Sequence, residues 1–571
     1  MELNLSLPKK LPNSLLGGVN YFNVDKISGT KTKVMRKRPR LFSFGSILLI
    51  CSVVLFACES AHLSAQDVPN PDNSKVVFSF DDHSIPWKKN LKITMLQGDK
   101  HESNPVLKRG GRGSLDDWMV QFYGSVIKVD GKYRLWYIAS DSARFQTIRQ
   151  GTGFSALRPA YAESEDGVNW TKPSLGLVDY NGSKDNNLVK ILPDETGAGG
   201  AIHLLVLHEP EDPNANEQYK MFLTVAADLG EGEGRGKGST TIVLFSADGL
   251  TWNSKTQLRF NNGFLKTENL MLPPINFEQG GVYKWNDQYY LAGQVFSPTV
   301  WQPDGRVVGR VMTVLRSNDL IKWDSLFTYS FVRNGMSGKD TPVHVGEEAH
   351  LASAIWKRGD VLLGTYGLWH GAERWEDRSM DLGFMISNDG IRFREPLADH
   401  VLIPVGKEGE WDQGGLLQGQ GFENIGDKTY IYYGSWDMTK PSYPPRGGVG
   451  IVTFRRDGFG YLSPRTTESI AAFETSLIKR GDLKSGKLRL FFNGDVPNHK
   501  DGFKIELVDK QGENIPGYSG DKSALIHEGG LFEEVVWKDG NVANLDCDFA
   551  IRVTFPKNLD SKLYSLYLYS E

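Results

Sequence analysis

Apolar and polar residues alternate along most of this chain, in short runs that end at turn-forming Asp, Asn and Gly residues. Alternation with a period of two predicts β-strands, and Asp-Gly between two such runs predicts a tight hairpin. One pattern, Ser-x-Asp-Gly-x-x-aromatic, returns along the chain. Its copies are SEDGVNW (Ser164 to Trp170), SADGLTW (Ser246 to Trp252), SNDLIKW (Ser317 to Trp323), SNDGIRF (Ser387 to Phe393) and, more loosely, RRDGFGY (Arg455 to Tyr461).

The spacing of these copies predicts a repeat architecture. Their aromatic residues, at positions 170, 252, 323, 393 and 461, are 82, 71, 70 and 68 residues apart. A second turn precedes each copy, in VDGKYRLWY, NEQYKMF, NDQYYLAG, RGDVLLGTYG and GDKTYIYYG. Two hairpins per unit give four antiparallel strands, and four-stranded units at this period are typical of propeller blades. We therefore predict an all-β fold with a five-bladed β-propeller.

The limits of the repeat predict the domains. The predicted blades span residues 116–173, 199–252, 278–323, 347–393 and 412–462, and the strands of residues 75–98 precede them. Beyond Pro464 the period stops, although alternating runs continue, which predicts a C-terminal β-sandwich. We expect an export signal in 1–58, a flexible tether in 59–74, the propeller with its N-terminal strands in 75–464, and the sandwich in 465–571.

The N-terminal residues predict export. The basic cluster RKRPR (Arg36 to Arg40) precedes an apolar run, Leu41 to Ala57, and then Cys58. This order is typical of a signal sequence, and LFAC at Leu55 to Cys58 resembles a bacterial lipobox, in which the cysteine is acylated. Met35 directly before the basic cluster is the predicted start. We expect a lipid-anchored protein of the bacterial cell envelope, in the outer membrane or periplasm; a single transmembrane anchor is the alternative.

Composition narrows the functional classes. The chain is 40% hydrophobic and 23% charged, as in soluble globular proteins. Its three cysteines cannot form a disulfide framework. Residues 1–57 hold nine Lys/Arg and two Asp/Glu, so the rest of the chain, with 56 basic and 67 acidic residues, has a net charge of −11. A surface this acidic argues against nucleic-acid binding.

Propeller topology predicts where a ligand binds. The innermost strands all run the same way, so their N-terminal ends meet at one mouth of the central channel. The longest connections lie over this mouth, in residues 140–157, 227–240, 294–309, 368–380 and 436–447. They are rich in aromatic rings, which stack on sugars, and in arginines, whose forks bind carboxylate or sulfate. These residues are Phe145, Phe154, Phe296, Trp301, Trp369, Trp375, Trp436, Tyr443, Arg144, Arg149, Arg235, Arg306, Arg374 and Arg446.

This mouth predicts a carbohydrate ligand, and the arginines extend the prediction to an anionic glycan. Among its side chains we assign substrate binding to those that bring a ring or a charge to the mouth, together with three histidines of the inner and second strands; packing inside the blades is the alternative for each histidine. The assigned residues are Arg144, Trp301, Trp369, His370, Arg374, Trp375, Trp436, His203 and His350.

Carboxylates stand at the start of four of the five inner strands. Cleavage of a glycosidic bond needs one carboxylic acid that protonates the leaving oxygen and one carboxylate that acts as base or nucleophile. We assign Asp117 as base or nucleophile and Glu348 as general acid. Glu278 is the substitute acid, and Asp116 and Asp412 tune the site. Capping of a turn is the alternative for Asp116 and Asp412, and a solvated loop position is the alternative for Glu278.

Cofactor chemistry leaves little trace in the sequence. The segment His370 to Asp381 holds His, Glu and Asp but lacks the close pairing of a zinc site. We predict no cofactor and no metal ligands, while a structural divalent cation held by scattered oxygens would leave no signature.

Several segments resemble a known group of proteins. GSVIKVDGKYRLWY, RPAYAESEDGVNWTKPSLGLVDYNGSKDNNLV, MDLGFMISNDGIRFREP and GQGFENIGDKTYIYYGSWD are similar to segments of five-bladed propeller proteins related to glycoside hydrolase families 32 and 43. The resemblance implies the fold, and a C-terminal sandwich is also the family 32 arrangement. The Asn-Asp-Pro, Arg-Asp-Pro and Glu-Cys motifs of family 32 are missing at the corresponding positions, so its fructan chemistry does not carry over.

The sequence thus favours an exported glycoside hydrolase that uses carboxylates in the propeller channel. Two alternatives stay open. A non-catalytic glycan-binding lipoprotein would use the same aromatic mouth, and a glycoside phosphorylase would need basic residues beside one acid to hold phosphate.

Overall fold

The fold is all-β in the computed structural model, which describes residues 74–143, 157–192, 203–231, 236–296, 310–333, 346–440, 445–483, 488–498, 500–538 and 545–570. The described part of the chain forms 34 strands and several single 3₁₀ turns. Its strands divide between a propeller and a β-sandwich.

The first propeller blade follows four short N-terminal strands. These are β1 (Ser74–Phe78), β2 (Trp87–Lys89), β3 (Leu91–Met95) and β4 (Asp99–Lys100). Blade one contains β5 (Met119–Val129), β6 (Lys132–Ser140) and β7 (Arg158–Ser164), with a bridge from Glu163 to Thr171 at its outer edge.

Blade two is the most elaborated. After β8 (Lys190–Leu192) come β9 (Leu204–His208), β10 (Tyr219–Asp228), β11 (Lys237–Ser246) and β12 (Thr251–Asn253). The parallel neighbour of β12 is β8. A small hairpin of β13 (Phe260–Asn261) and β14 (Phe264–Leu265) extends the sheet beside β10.

Blades three and four are regular four-stranded sheets. Blade three is β15 (Phe277–Trp285), β16 (Gln288–Phe296), β17 (Arg310–Ser317) and β18 (Asp324–Phe331). Blade four is β19 (Gly346–Arg358), β20 (Val361–Gly371), β21 (Ser379–Ser387) and β22 (Val401–Ile403).

Blade five closes the ring with a strand from the N-terminus. Its inner strands are β23 (Leu416–Ile425), β24 (Lys428–Ser435) and β26 (Val449–Arg455), and β25 (Arg446–Gly447) pairs with β5 of blade one. The outermost strand is β4, which pairs with β26. The innermost strands β5, β9, β15, β19 and β23 contact one another in cyclic order, and β23 pairs in parallel with β5.

The sandwich takes strands from both ends of the described chain. After β27 (Gly460–Pro464) come β28 (Ala472–Glu474), β29 (Leu488–Asp495), β30 (Phe503–Val508), β31 (Ala524–Ile526), β32 (Gly530–Glu534), β33 (Ala550–Thr554) and β34 (Lys562–Ser570). One sheet has the order β3-β27-β34-β29-β32, with β1 also on β34, and the other is β2-β28-β33-β30-β31. Apolar side chains of both sheets, such as Phe492, Phe503 and Val553, form its core.

This topology corrects two sequence-based assignments. The strands of residues 75–98 were placed with the propeller, yet β1, β2 and β3 pair with strands of the sandwich. The loose fifth copy, Arg455 to Tyr461, was read as a hairpin inside blade five, yet its second strand, β27, leaves the blade and joins β3 and β34. Both errors have one cause, since strand partners so far apart along the chain leave no local signal.

Candidate functional site

The mouth of the channel is shaped by irregularities in the innermost strands. In β5, β15, β19 and β23 the pairing register shifts near the middle of the strand, between Gln121 and Ser125, Gln279 and Gly281, His350 and Ser353, and Gln418 and Phe422. Bulges of this kind redirect side chains. Below them, the side-chain amide of Gln420 in blade five bonds both to N (2.9 Å) and to O (2.9 Å) of Val282 in blade three, which closes the channel.

Arg310, the first residue of β17, lies at the centre of the mouth. Its Nη1 donates to Oε2 of Glu348 at 3.1 Å, and its Cζ lies 4.7 Å from the ring centre of Trp369. The Glu348 side chain is only 2% exposed. A guanidinium at this distance stabilises the ionised form of a buried carboxyl group.

Glu278 is the second carboxyl group beside Arg310, and it is partly exposed. Gln294 Nε2 donates to Glu278 Oε2, and Gln294 Oε1 accepts from the backbone N–H of Leu351 at 2.8 Å. Burial raises the pKa of Glu278 above its ordinary value, while Arg310 and the Gln294 hydrogen bond oppose this shift. Leu351 has φ of 53°, a strained conformation for a leucine. A raised pKa and a fixed orientation are the properties of a general acid.

Tyr123 lies between two histidines deep in the mouth. Its ring contacts that of His203 edge to face at 4.5 Å, and its OH is 3.5 Å from Nδ1 of His350. The ring of His350 stacks on Trp369 at 5.5 Å. Burial lowers the pKa of His203 to about 3, so this histidine is neutral. Burial and then Glu278 raise the pKa of Tyr123. Both histidines therefore border the site as uncharged or stacked rings.

Trp375 and Trp436, both partly exposed, form the aromatic rim. Trp369 packs beneath them at 1% exposure, so it offers almost no surface to a ligand, contrary to its assignment to substrate binding. Each of the three rings lies near an arginine. Trp369 contacts Arg310, as above; Trp375 lies 4.7 Å from Cζ of Arg378, and Trp436 lies 5.2 Å from Cζ of Arg446. Trp369 and Trp375 also meet edge to face at 6.3 Å.

Asp116 and Asp412 form equivalent braces inside their blades. Asp116 Oδ2 accepts from Tyr137 OH at 2.9 Å and from Lys172 Nζ. Asp412 Oδ2 accepts from Tyr433 OH at 2.8 Å and from Lys100 Nζ at 2.7 Å. Both carboxyl groups are almost fully buried. Each one ties the start of an inner strand to the second and outer strands of its blade.

Blade four has the same brace with the charges exchanged. Tyr366, which occupies the position of Tyr137 and Tyr433, donates to Glu395 Oε1 at 2.5 Å and accepts from Arg333 Nη1 at 2.7 Å. Here the base precedes the inner strand and the acid follows the outer part of the blade. The recurrence of acid, tyrosine and base in three blades indicates a structural role.

Asp117 caps the turn before β5. Its Oδ2 accepts from the Gly113 N–H at 2.8 Å and from Ser142 Oγ at 3.2 Å, and its Oδ1 accepts from the Ser142 N–H at 2.7 Å. Both of its oxygens are thus occupied by the loops that flank blade one.

The remaining assigned residues lie at the rim or outside the described part. His370 is held between Glu347 and Asp381 on blade four, at 2.9 Å from each. Arg374 is 68% exposed and pairs with Glu376 and Asp377. Arg144, Trp301 and Cys58 lie outside the described residues.

Sequence reasoning missed Tyr123, Gln294, Arg310 and Arg378. For the arginines, a signal existed in the repeat. A basic residue stands at or directly before the start of the third strand in four blades, and in blade five Arg446 lies three residues before it. The five residues are Arg158, Lys237, Arg310, Arg378 and Arg446.

Across the described residues, no three His, Cys, Asp or Glu side chains are grouped so that they could hold a metal ion. The same part of the chain contains no helix of the length and apolar character that would cross a bilayer.

No family model and no curated protein matches this chain, but solved structures do. A proposed glycoside hydrolase from Parabacteroides distasonis is 17% identical, over 62% of this chain and 96% of its own, with a TM-score of 0.40. A glycosyl hydrolase from Bacteroides ovatus is 14% identical, over 63% of this chain and 94% of its own, with a TM-score of 0.40. A third match is a solved structure described under the GH130 family of mannoside phosphorylases, a family said to contain glycoside hydrolases that target β-1,2-mannosidic linkages in Candida mannan. This structure is 15% identical over 63% of this chain and 94% of its own, with a TM-score of 0.40.

Proposed function

We propose that this protein is a glycoside hydrolase whose site is the mouth of the propeller channel. Glu278 is the general acid, and Glu348 is the carboxylate that acts as base or nucleophile. This revises the sequence-based roles, in which Glu348 was the acid and Asp117 the base. The tryptophan rim supplies the stacking surface for sugar rings.

The observation that carries the proposal is the contrast between two carboxyl groups beside one arginine. Glu348 pairs directly with Arg310, which favours its ionised form. Glu278 has a raised pKa because of burial, with Arg310 only in part offsetting that effect. A glycosidase needs one protonated and one ionised carboxyl group near each other. Different environments at the two groups meet this need.

The test is turnover by the purified protein on a panel of neutral, uronic and sulfated oligosaccharides, with and without phosphate. We expect new reducing ends that take up ¹⁸O from labelled water. Glu278→Gln and Glu348→Gln should each lower kcat by about 10²- to 10⁴-fold. Because the acid must be protonated, wild-type kcat/KM should fall as pH rises through the raised pKa of Glu278.

Asp117→Asn is the control for the revised assignment, and we expect it to keep most of the activity because its carboxylate caps a turn. Product formed only with phosphate, as a sugar phosphate, would replace hydrolysis by phosphorolysis. Saturable binding with no product from any substrate would favour the glycan-binding alternative. Full activity of Glu278→Gln would refute the proposed acid.

Export and lipid attachment at Cys58, in the outer membrane or periplasm, complete the proposal. Their support is the basic and apolar pattern of residues 36–58. A lipid-anchored propeller would present its channel mouth to glycans at the cell envelope.

A further inference from the structure

Arg378, directly before β21, is a buried cation that contacts no counter-ion among the described residues. The residue is 8% exposed, its Cζ lies 4.7 Å from the ring centre of Trp375, and its Nε donates to Ala372 O at 2.8 Å. In the described part of the chain, no carboxylate lies within 4.0 Å of its guanidinium nitrogens. The nearby carboxylate, Glu348, pairs instead with Arg310.

This arrangement is electrostatically unfavourable by itself. Removal of an ion from water costs several kcal/mol unless a partner compensates for it, and an arginine does not escape by losing its proton. Arg310 adds to the cost of burying Arg378, because burial and then the positive charge of Arg310 lower the pKa of Arg378. Arg310 takes the direct contact with Glu348, which acts on Arg378 only at longer range.

Two more arginines lie at the mouth together with the carboxyl groups Glu278 and Glu348. The Cζ atoms of Arg310, Arg378 and Arg446 lie 4.7, 4.7 and 5.2 Å from the centres of tryptophan rings. A guanidinium edge forms two parallel hydrogen bonds with a carboxylate or with two oxygens of a sulfate. An oxyanion beside Arg378 would supply the counter-ion that the described residues do not provide.

We propose that Arg378 binds an oxyanion carried by the sugar, either the carboxylate of a uronic acid or a sulfate ester, at a subsite next to Glu278 and Glu348. The proposal rests on the proposed function of this mouth and names its substrate class. The charged substituent would sit between Arg378 and Arg310, with its sugar ring on the partly exposed Trp375 side of the mouth.

The test is binding, measured by calorimetry on the full chain and therefore independent of turnover. The probes are an oligogalacturonide and its methyl ester, a sulfated oligosaccharide and its desulfated form, and inorganic phosphate. Arg378→Gln should weaken the binding of at least one charged probe by tenfold or more and leave its neutral form within twofold, because only the charged form needs a counter-ion. Arg392→Gln, on the signature turn of the same blade but exposed and already paired with Asp389, is the matched control and should change neither.

Arg378→Lys and thermal unfolding separate binding from a role in folding. The lysine keeps the charge but not the fork, so it should recover only part of the affinity. A charged probe that binds should raise the Tm of the wild-type protein and not that of Arg378→Gln. Equal weakening of charged and neutral probes, or no difference between Arg378→Gln and Arg392→Gln, would overturn the proposal.

The experiment also distinguishes this inference from the proposed function. Binding of a charged glycan that depends on Arg378, without any product, would retain the subsite and refute the hydrolase. If the wild-type protein and Arg378→Gln hydrolyse neutral glycans at the same rate, the hydrolase would be retained and the subsite refuted. Phosphate that binds through Arg378 and is required for turnover would assign the arginine to a co-substrate and overturn the sugar substituent.

Discussion

His370 illustrates how strongly single residues of this protein depend on their neighbours. Its ring nitrogens contact Asp381 and Glu347, and these contacts raise its pKa to about 9. Arg333 lies 3.6 Å from Oε2 of Glu347, so this carboxylate contacts two cations when His370 is charged. The sequence analysis assigned His370 to substrate binding, and this geometry gives it an additional role as a pH-dependent link across blade four.

This link predicts a stability change at alkaline pH. Because the pKa of His370 is higher in the folded state than its ordinary value of about 6.5, its stabilisation is complete below pH 6.5 and is lost as pH rises through 9. We expect the free energy of unfolding to fall by about 1 kcal/mol between pH 6.5 and 9, after allowance for screening at a side chain that is one-third exposed.

Urea unfolding at the two pH values measures this change. His370→Gln should show a smaller decrease than the wild-type protein across the same interval, and an NMR titration should give His370 an apparent pKa near 9. An unchanged pH dependence in the variant would contradict the link.

At the scale of the element, the signature turn explains why the repeat has its sequence. In the first four copies the aspartate accepts hydrogen bonds from the hydroxyl of the serine in the same copy and from two backbone N–H groups that follow it. Asp248, for example, accepts from Ser246, Leu250 and Thr251. The fourth residue has a positive φ, which glycine adopts without strain. In three copies the carbonyl oxygen of this glycine also accepts a hydrogen bond from an aromatic residue of the preceding blade, namely Tyr432, Trp136 or Tyr283.

Gly249 therefore has two reasons to be glycine, and a pair of substitutions separates them. An added Cβ would lie 2.9 Å from Cζ2 of Trp136, whereas at Gly131, which also has a positive φ, it would meet nothing within 4 Å. We expect Gly131→Ala to cost about 1 kcal/mol from backbone strain and Gly249→Ala about 2 to 3 kcal/mol. Urea unfolding measures both values. Equal costs would show that packing between the blades contributes nothing.

At the scale of the whole molecule, one buried ion pair joins the propeller to the sandwich. Arg358 of blade four donates to both oxygens of Asp457, at 2.9 and 2.6 Å, and the two side chains are 2% and 0% exposed. Asp457 lies between β26 of the propeller and β27 of the sandwich, and it also accepts from Tyr567 OH on β34 at 3.0 Å. Because three segments meet at this carboxylate, it couples the stability of the two parts.

Removal of one partner should be severe. Arg358→Leu leaves a buried, unpaired carboxylate, so we expect a loss of about 3 to 5 kcal/mol in the free energy of unfolding. Arg489→Leu, which breaks the exposed pair with Glu534, is the control and should cost less than about 1 kcal/mol. Chemical denaturation of both variants is the measurement. Similar costs for the two pairs would contradict the coupling role.

The sequence by itself determined the strands, the period of the repeat, the signature turns and the mouth at which binding residues collect. These features follow from local rules, because alternation and turn chemistry act within a few residues of the chain. Only the tertiary structure decided which acids are braced inside a blade and which lie beside an arginine at the mouth. Asp116 and Glu278 look alike near the starts of their inner strands, yet the first is fixed by Tyr137 and Lys172 while the second lies beside Arg310. Likewise, the partners of β1 to β4 lie hundreds of residues away. Contacts between distant segments determine how deeply a side chain is buried and which charges surround it. The local sequence pattern carries no information on either quantity.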